Sequence, residues 1–146
     1  MHEFNGFGCH GENRSPMLAW QDIPAGTEYF AITVYDPDAP TGSGWWHWQI
    51  INIPKDVLQI AQDAGNSDQS QQPKGAIQIR NDYGIYGFGG ACPPVGDGKH
   101  RYQFTVYALP NKLDISKDTS AAMVGFMLKA NAIASSTIEA LYGRNQ

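Results

Sequence analysis

The stretch from Tyr29 to Ile53 constrains the fold more than any other part of this chain. It opens with Phe30, Ile32 and Val34 at every second position, the alternation of a β-strand rich in β-branched and aromatic residues. Two prolines and two glycines follow within residues 37–44, where the prolines remove amide donors and the glycines let the backbone turn. The sequence WWHWQIINI then enters a second apolar run. This stretch therefore predicts a strand, a rigid loop and a second strand.

The remainder of the chain predicts further short strands joined by loops. Residues 4–16 are rich in glycine and lack periodicity, which predicts a loop. Met17–Trp20 is predicted as a short strand, and alternation of Ile77 and Ile79 with polar residues predicts another over Ala76–Arg80. Polar residues 62–75 predict a long surface loop. The clearest strand runs from His100 to Leu109, and its period of two places His100 and Tyr102 on one face.

The C-terminal part predicts a helix from about Thr119 to Tyr142. Asp118, Thr119 or Ser120 suits the start of this helix, and Gly143 suits the position just after its end. Apolar residues recur at spacings of three or four, which favours a helix that packs on the sheet. These residues are Met123, Met127, Ala130, Ala134, Ile138 and Leu141.

Length and composition indicate one domain over residues 1–146 and exclude several classes of protein. The 16 glycines and 9 prolines favour many turns between short strands, so we expect a mainly β protein. A net charge of −4 and scattered basic residues argue against a nucleic-acid partner. Because no apolar run approaches the roughly 20 residues of a membrane span, we expect a soluble protein, periplasmic or cytoplasmic. The sequence leaves open whether an upstream leader or a first strand has been removed.

Five polar residues lie at predicted strand ends beside loops: Asp36, Asp38, His47, His100 and Tyr102. Histidine and tyrosine donate hydrogen bonds, and backbone amides of the glycine-rich segment 87–90 can accept negative charge in a concave arrangement. A carboxylate can orient an imidazole and favour its protonated form. If these groups converge, they suit a small anion.

Other interpretations of the same residues stay open at this point. Asp36 and Asp38 can form turns with their own loop, and each histidine can be a satisfied core group. A metal site of His47, His100 and Asp36 is chemically reasonable, although no short-spaced ligand pair supports it. A hydrolase lacks support because the chain has no G-x-S-x-G motif.

Four motifs in order closely resemble the phosphatidylethanolamine-binding protein family, in its bacterial branch often labelled Raf-kinase-inhibitor-like. They are Asp-Pro-Asp-Ala-Pro at 36–40, Trp-Trp-His at 45–47, Gly-x-x-Pro-Pro at 90–94 and Gly-Lys-His-Arg-Tyr at 98–102. The resemblance covers essentially the whole chain. It implies an antiparallel β-sandwich with a C-terminal helix, long loops and a small pocket for phosphate-like anions.

Carried over residue by residue, the resemblance assigns the ligand-binding positions, with no catalytic residue, metal or cofactor. They are Asp36, Pro40, Trp45, His47, Gly90, His100 and Tyr102. We expect His47 and Tyr102 to donate to the anion, amides near Gly90 to complete its shell and Asp36 to orient the histidines. The expected function is non-enzymatic binding of a phosphorylated small molecule, lipid headgroup or phosphorylated side chain.

The alternative function is inhibition of a kinase or protease through the same pocket. A weaker alternative is hydrolysis of a phosphorylated substrate. Trp46 replaces the first of two adjacent histidines found in many eukaryotic members, and the chain is shorter at both ends, so kinase inhibition is not carried over. The family layout brings Cys9 and Cys92 near the pocket and favours a disulfide, which favours the periplasm. Bacterial relatives also suggest a homodimer.

Overall fold

A computed structural model describes residues 1–144 and shows a mainly antiparallel β protein. The strands are β1 (Asn5–Gly6), β2 (Cys9–His10), β3 (Leu18–Ala19), β4 (Tyr29–Asp36), β5 (Trp45–Pro54), β6 (Gln59–Ile60), β7 (Ile77–Gln78), β8 (His100–Leu109) and β9 (Ala134–Tyr142), and the one α-helix among the described residues is α1 (Ala121–Asn131).

One five-stranded sheet, ordered β7-β5-β4-β8-β9, forms the main layer. The predicted strand–loop–strand unit provides β4 and β5, and β8 pairs with the other edge of β4, so that Thr33 lies opposite both Gln49 and Thr105. Because these pairs are antiparallel, the end of β4 meets the starts of β5 and β8. The groups expected to bind an anion therefore meet at one end of the sheet.

The sheet is covered on both faces, and each face has its own apolar core. The β3–β6 pair packs over one face, where Phe30, Ile32, Trp48 and Ile50 are buried with Ile60 of β6. On the other face, Val124 and Leu128 of α1 pack in the core that contains Ala31, Ile51 and Leu109. Burial of this apolar surface holds the layers together. The predicted sandwich with a C-terminal helix is confirmed.

The prediction of one helix from Thr119 to Tyr142 is wrong in its second half. The helix ends at Asn131, Ala132 has extended backbone angles, and Ala134–Tyr142 pairs with β8 along its whole length. A repeat of four residues fits a helix, but it fits the period of two in a strand equally well. The β-branched Thr137 and Ile138 favour a strand, and β8 offers an unpaired edge.

The helix also buries a different face from the predicted one. The Ser120 hydroxyl accepts a hydrogen bond from the Met123 amide at 3.2 Å, so Ser120 is the N-cap among the three candidates. Met123 itself is half exposed, and the buried positions are Ala121, Val124, Gly125 and Leu128. Trp46 lies against Gly125, where a Cβ atom would approach the indole to 2.8 Å.

The loops differ from the predictions mainly in detail. The N-terminal segment predicted as a loop contains the short β1–β2 hairpin, and both predicted short strands shrink to two residues each. A disulfide between Cys9 and Cys92 ties this hairpin to the segment before β8. Among residues 1–144, no helix is long and apolar enough to cross a lipid bilayer.

Candidate anion-binding site

A cavity of about 230 Å³ lies where the end of β4 meets the starts of β5 and β8. It contains side chains from all three strands, from the N-terminal hairpin and from the segment between β7 and β8. Its wall is formed by Phe7, Asp36, Ala39, Trp45, His47, Tyr83, Cys92, Pro93, Pro94, His100 and Tyr102. The sheet register therefore brings five of the seven predicted ligand-binding residues to one wall.

His100 is held between two carboxylates. Its Nδ1 lies 2.7 Å from Oδ2 of Asp36, and its Nε2 bonds to Asp97. Burial alone would lower the pKa of His100, but the hydrogen bonds to Asp97 and Asp36 outweigh it and raise the pKa. Because carboxylates only accept, both contacts are satisfied when the ring is protonated. Asp36 and His100 are both 2% exposed, so they form a buried pair in the cavity wall.

Asp38 is not among the residues that line the cavity, and it pairs with Arg101. Its carboxylate accepts two hydrogen bonds at 3.0 Å from the guanidinium of Arg101 and one at 2.9 Å from the Arg101 amide. The Arg101 side chain is the main cause that lowers the pKa of Asp38 to about 2. The predicted turn with its own loop belongs to Asp36 instead, whose Oδ1 accepts from the Asp38 amide at 2.8 Å. Arg101 and Asp38 thus neutralise each other.

The ring of His47 is fixed by backbone. Its Nδ1 lies 2.8 Å from the Gly89 carbonyl oxygen, and its ring packs edge-on against Tyr102 with 5.2 Å between centroids. Burial lowers the pKa of His47, partly offset by the Gly89 carbonyl and by the charge of Asp36. Since Nδ1 is occupied, Nε2 is the nitrogen left for a ligand. Asp36 therefore contacts His100, whereas the ring of His47 is held by Gly89.

Two buried donors on the cavity wall have no hydrogen-bond partner among the described residues. They are the hydroxyl of Tyr102 and the indole Nε1 of Trp45. Burial, with a further contribution from the charge of Asp36, raises the pKa of Tyr102, so the phenol keeps its proton. Tyr83 differs because its hydroxyl donates to the Gly90 carbonyl at 2.9 Å.

The amides near Gly90 are already used, contrary to our expectation that they complete an anion shell. The Gly89 amide donates to the His47 carbonyl at 2.8 Å, and the Gly90 amide donates to the Asn13 side chain at 2.6 Å. A Cβ atom on Gly90 would lie 1.9 Å from the His2 carbonyl oxygen. Gly90 therefore permits close contact with the N-terminal segment and lies behind the cavity wall.

Comparisons with known proteins give a consistent result. A family model described as phosphatidylethanolamine-binding protein matches residues 1–143. This chain belongs to the phosphatidylethanolamine-binding protein family. It is 56% identical to the UPF0098 protein YbcL of Escherichia coli K12 over 142 residues, which cover 97% of this chain and 78% of YbcL. It is 49% identical to YbhB of the same organism, with coverage of 97% and 89%.

Solved structures of the family show the same architecture. The crystal structure of E. coli YbcL, described as a new member of the mammalian PEBP family, matches with a TM-score of 0.95 at 55% identity, covering 97% of this chain and 87% of that chain. A phosphatidylethanolamine-binding protein homologue from Chlamydia trachomatis matches with a TM-score of 0.78 at 29% identity, with coverage of 93% and 85%.

The expectations drawn from the family missed several residues that shape the site. Within residues 1–144 the wall includes Ala39, whereas Pro40 is exposed. Asp97 lies three residues before His100, a spacing that could have drawn attention to it. Asn81 was missed although its buried side chain makes four hydrogen bonds, among them donation to the His47 carbonyl at 3.2 Å. Its position before a turn gave only a weak signal.

A second, larger groove shares a wall with this cavity. It measures about 680 Å³, is mostly apolar and runs between the N-terminal segment and β9. His47 and Tyr102 line both spaces. The smaller cavity is the better candidate for an anion, because its wall combines these two residues with Asp36, Trp45 and His100, none of which lines the groove.

Proposed function

We propose that this member of the phosphatidylethanolamine-binding protein family binds a phosphate-like anion in the 230 Å³ cavity and does not turn it over. The observation that carries the proposal is the pair of unpartnered buried donors, Tyr102 hydroxyl and Trp45 Nε1. A buried donor without a partner costs about 1–3 kcal/mol of folding free energy. Ligand oxygens that accept from these donors would remove this cost.

The carboxylates near the cavity are already paired, which leaves hydrogen-bond donors for a ligand. The carboxylates of Asp36 and Asp97 are both engaged by His100, and Asp38 is engaged by Arg101. Both oxygens of Asp36 are occupied, since Oδ2 contacts His100 and Oδ1 accepts from the Asp38 amide. Asp36 therefore offers no free oxygen to a cation. Donor groups remain, and donors bind oxyanions.

The composition of the wall supports binding rather than turnover. Nucleophilic catalysis needs a hydroxyl, thiol, amine, carboxylate or imidazole that is free to attack. Among the described wall residues there is no Ser, Thr or Lys, the sulfur of Cys92 is in the disulfide, and Asp36 and His100 are paired with each other. Burial is the main cause that raises the pKa of Tyr83 and of Tyr102, so both phenols keep their protons. His47 is the one wall group with a free nitrogen that could act as a base.

The test is a titration of the protein with inorganic phosphate. Calorimetry measures the affinity, and the NMR signals of the histidine rings report binding at the site. We expect saturable binding that weakens at least about tenfold in Tyr102→Phe and in Trp45→Phe, because a hydrogen bond to a charged group contributes about 1.5–3 kcal/mol. Tyr107→Phe is the matched control, since Tyr107 is an equally buried phenol on β8 that lies outside the cavity wall.

The proposal fails if wild type does not bind phosphate, or if both wall variants bind it as tightly as Tyr107→Phe does. Release of phosphate from a phosphate ester in proportion to protein concentration would instead favour a hydrolase.

The Cys9–Cys92 disulfide supports an oxidising compartment such as the periplasm, because protein disulfides persist there and are reduced in the cytosol. Thiol counting of protein prepared from each cell fraction tests this part of the proposal. Dimerisation stays a prediction, which the molar mass in solution tests.

A further inference from the structure

The hydrogen bond between His47 and Gly89 determines what the free ring nitrogen can do. A carbonyl oxygen only accepts, so Nδ1, 2.8 Å from the Gly89 oxygen, carries the proton. In a neutral ring Nε2 is then an unprotonated acceptor. An anion oxygen without a proton would meet a lone pair at Nε2, whereas a ligand hydroxyl would donate to it.

The surroundings of His47 favour the neutral ring. The charges of Asp36 on β4 and His100 on β8 act on it, and the rings of Tyr83 and Tyr102 pack edge-on against it. His2, Glu3 and Tyr142 line the larger groove that His47 also lines. Asp36 favours a charged His47, but its carboxylate already pairs with His100, whose own charge opposes a second imidazolium. His47 is 3% exposed, and burial disfavours the charged form.

Residues that line the cavity thus carry two donors and one acceptor without a hydrogen-bond partner among the described residues. The donors are the Tyr102 hydroxyl and Trp45 Nε1, and the acceptor is Nε2 of His47. Beside them, two carboxylates flank the single imidazolium of His100, and this excess negative charge opposes a doubly charged ligand.

We propose that the site selects an oxyanion that retains one ionisable hydroxyl, such as the singly charged form of a phosphate monoester. The ligand hydroxyl donates to Nε2 of His47, and the other ligand oxygens accept from Tyr102 and Trp45. This inference rests on the anion binding proposed above and adds that the ligand's own proton is part of what is recognised.

The experiment compares methyl phosphate with methyl sulfate by calorimetry at pH 5.5 and pH 7.5. The second pKa of a phosphate monoester is about 6, so methyl phosphate is mainly a monoanion with one hydroxyl at the lower pH and mainly a dianion at the higher one. Methyl sulfate has the same shape and a single charge at both pH values but no hydroxyl. At pH 5.5 we expect methyl phosphate to bind at least about tenfold more tightly than methyl sulfate, the scale of one hydrogen bond to a charged group.

Raising the pH to 7.5 should weaken methyl phosphate binding by about 25-fold, the fall in its monoanion fraction for a second pKa near 6. His47→Asn is the diagnostic variant, because the Asn amide can still donate to the Gly89 carbonyl but provides no acceptor in place of Nε2. We expect this variant to bind the two ligands equally at pH 5.5.

Equal affinity of wild type for both ligands, or tighter binding of methyl phosphate at pH 7.5, would overturn the inference and leave anion binding intact. Failure of both ligands and of inorganic phosphate to bind at either pH would overturn the proposed function together with the inference. The ligand comparison on wild type decides the matter even if His47→Asn does not fold.

Discussion

Removing the hydroxyl of Tyr102 should make the protein more stable and a poorer binder. The hydroxyl is buried without a partner among the described residues, and Tyr102 is only 5% exposed. A buried, unsatisfied polar group costs about 1–3 kcal/mol, so Tyr102→Phe should raise the free energy of unfolding by about 1 kcal/mol or more. The ring still packs edge-on against His47 in the variant, so no cavity forms.

The same change should weaken anion binding. A hydrogen bond from Tyr102 to a charged oxyanion contributes about 1.5–3 kcal/mol, which corresponds to a roughly 10- to 150-fold loss of affinity. Stability and affinity thus move in opposite directions, which a general disturbance of packing would not produce.

Urea unfolding followed by tryptophan fluorescence, in the absence and presence of phosphate, measures both effects. Tyr83→Phe is the comparison, because its hydroxyl donates to the Gly90 carbonyl at 2.9 Å in the same cavity. Loss of that satisfied bond should destabilise the protein by about 1 kcal/mol. If Tyr102→Phe destabilises the ligand-free protein as Tyr83→Phe does, the Tyr102 hydroxyl has a partner and the reasoning is refuted.

Three further predictions concern the disulfide, the Asn81 hydrogen bonds and the two buried histidines around the cavity. Replacing Cys9 and Cys92 by Ser should lower the free energy of unfolding by about 4.5 kcal/mol in the chain-entropy model, because the disulfide closes a loop with a sequence separation of 83. Urea unfolding of this variant beside oxidised wild type measures the loss, reduced wild type should match the variant, and a midpoint equal to that of oxidised wild type would contradict the prediction. Asn81→Ala should cost about 3 kcal/mol, since it removes four hydrogen bonds of a buried side chain. Asn81→Asp should cost at least as much, because a carboxylate oxygen cannot donate to the His47 and Gly87 carbonyls, and an Asp variant as stable as wild type would contradict this. Unfolding measured from pH 5 to 9 should give maximal stability near pH 6.5, the ordinary pKa of histidine. The raised pKa of His100 contributes stability that is full below that value and lost as the pH rises through the raised pKa, whereas the lowered pKa of His47 makes stability fall as the pH drops below 6.5. His100→Gln should remove the alkaline decline, and an unaltered decline would contradict the assignment.

Local patterns in the sequence were sufficient to predict the centre of the fold. Alternation over Tyr29–Asp36 and over His100–Leu109 predicted β4 and β8 correctly, because large apolar residues at every second position lie on one face of a strand. The same period placed His100 and Tyr102 together. Both residues line the cavity for this reason.

Pairings between distant segments could not be predicted in this way. Ala134 and Ile138 fit helix and strand periods alike, and the outcome depended on the free edge of β8, which lies some 30 residues earlier in the chain. Asp38 looked like a turn residue, but it binds Arg101 across 63 positions. Local propensity is a weak guide where tertiary contacts compete with it.

The way in which the cavity satisfies its own charges also limits how it can bind. Arg101 is neutralised by Asp38, and the imidazolium of His100 lies between Asp36 and Asp97, so the described wall offers no uncompensated cation to a ligand. Recognition then depends on short-range hydrogen bonds from neutral groups, which salt screens far less than it screens exposed charges. A phosphate site of this kind should therefore keep most of its affinity as ionic strength rises, and it should discriminate ligands by their pattern of donors and acceptors more than by their charge.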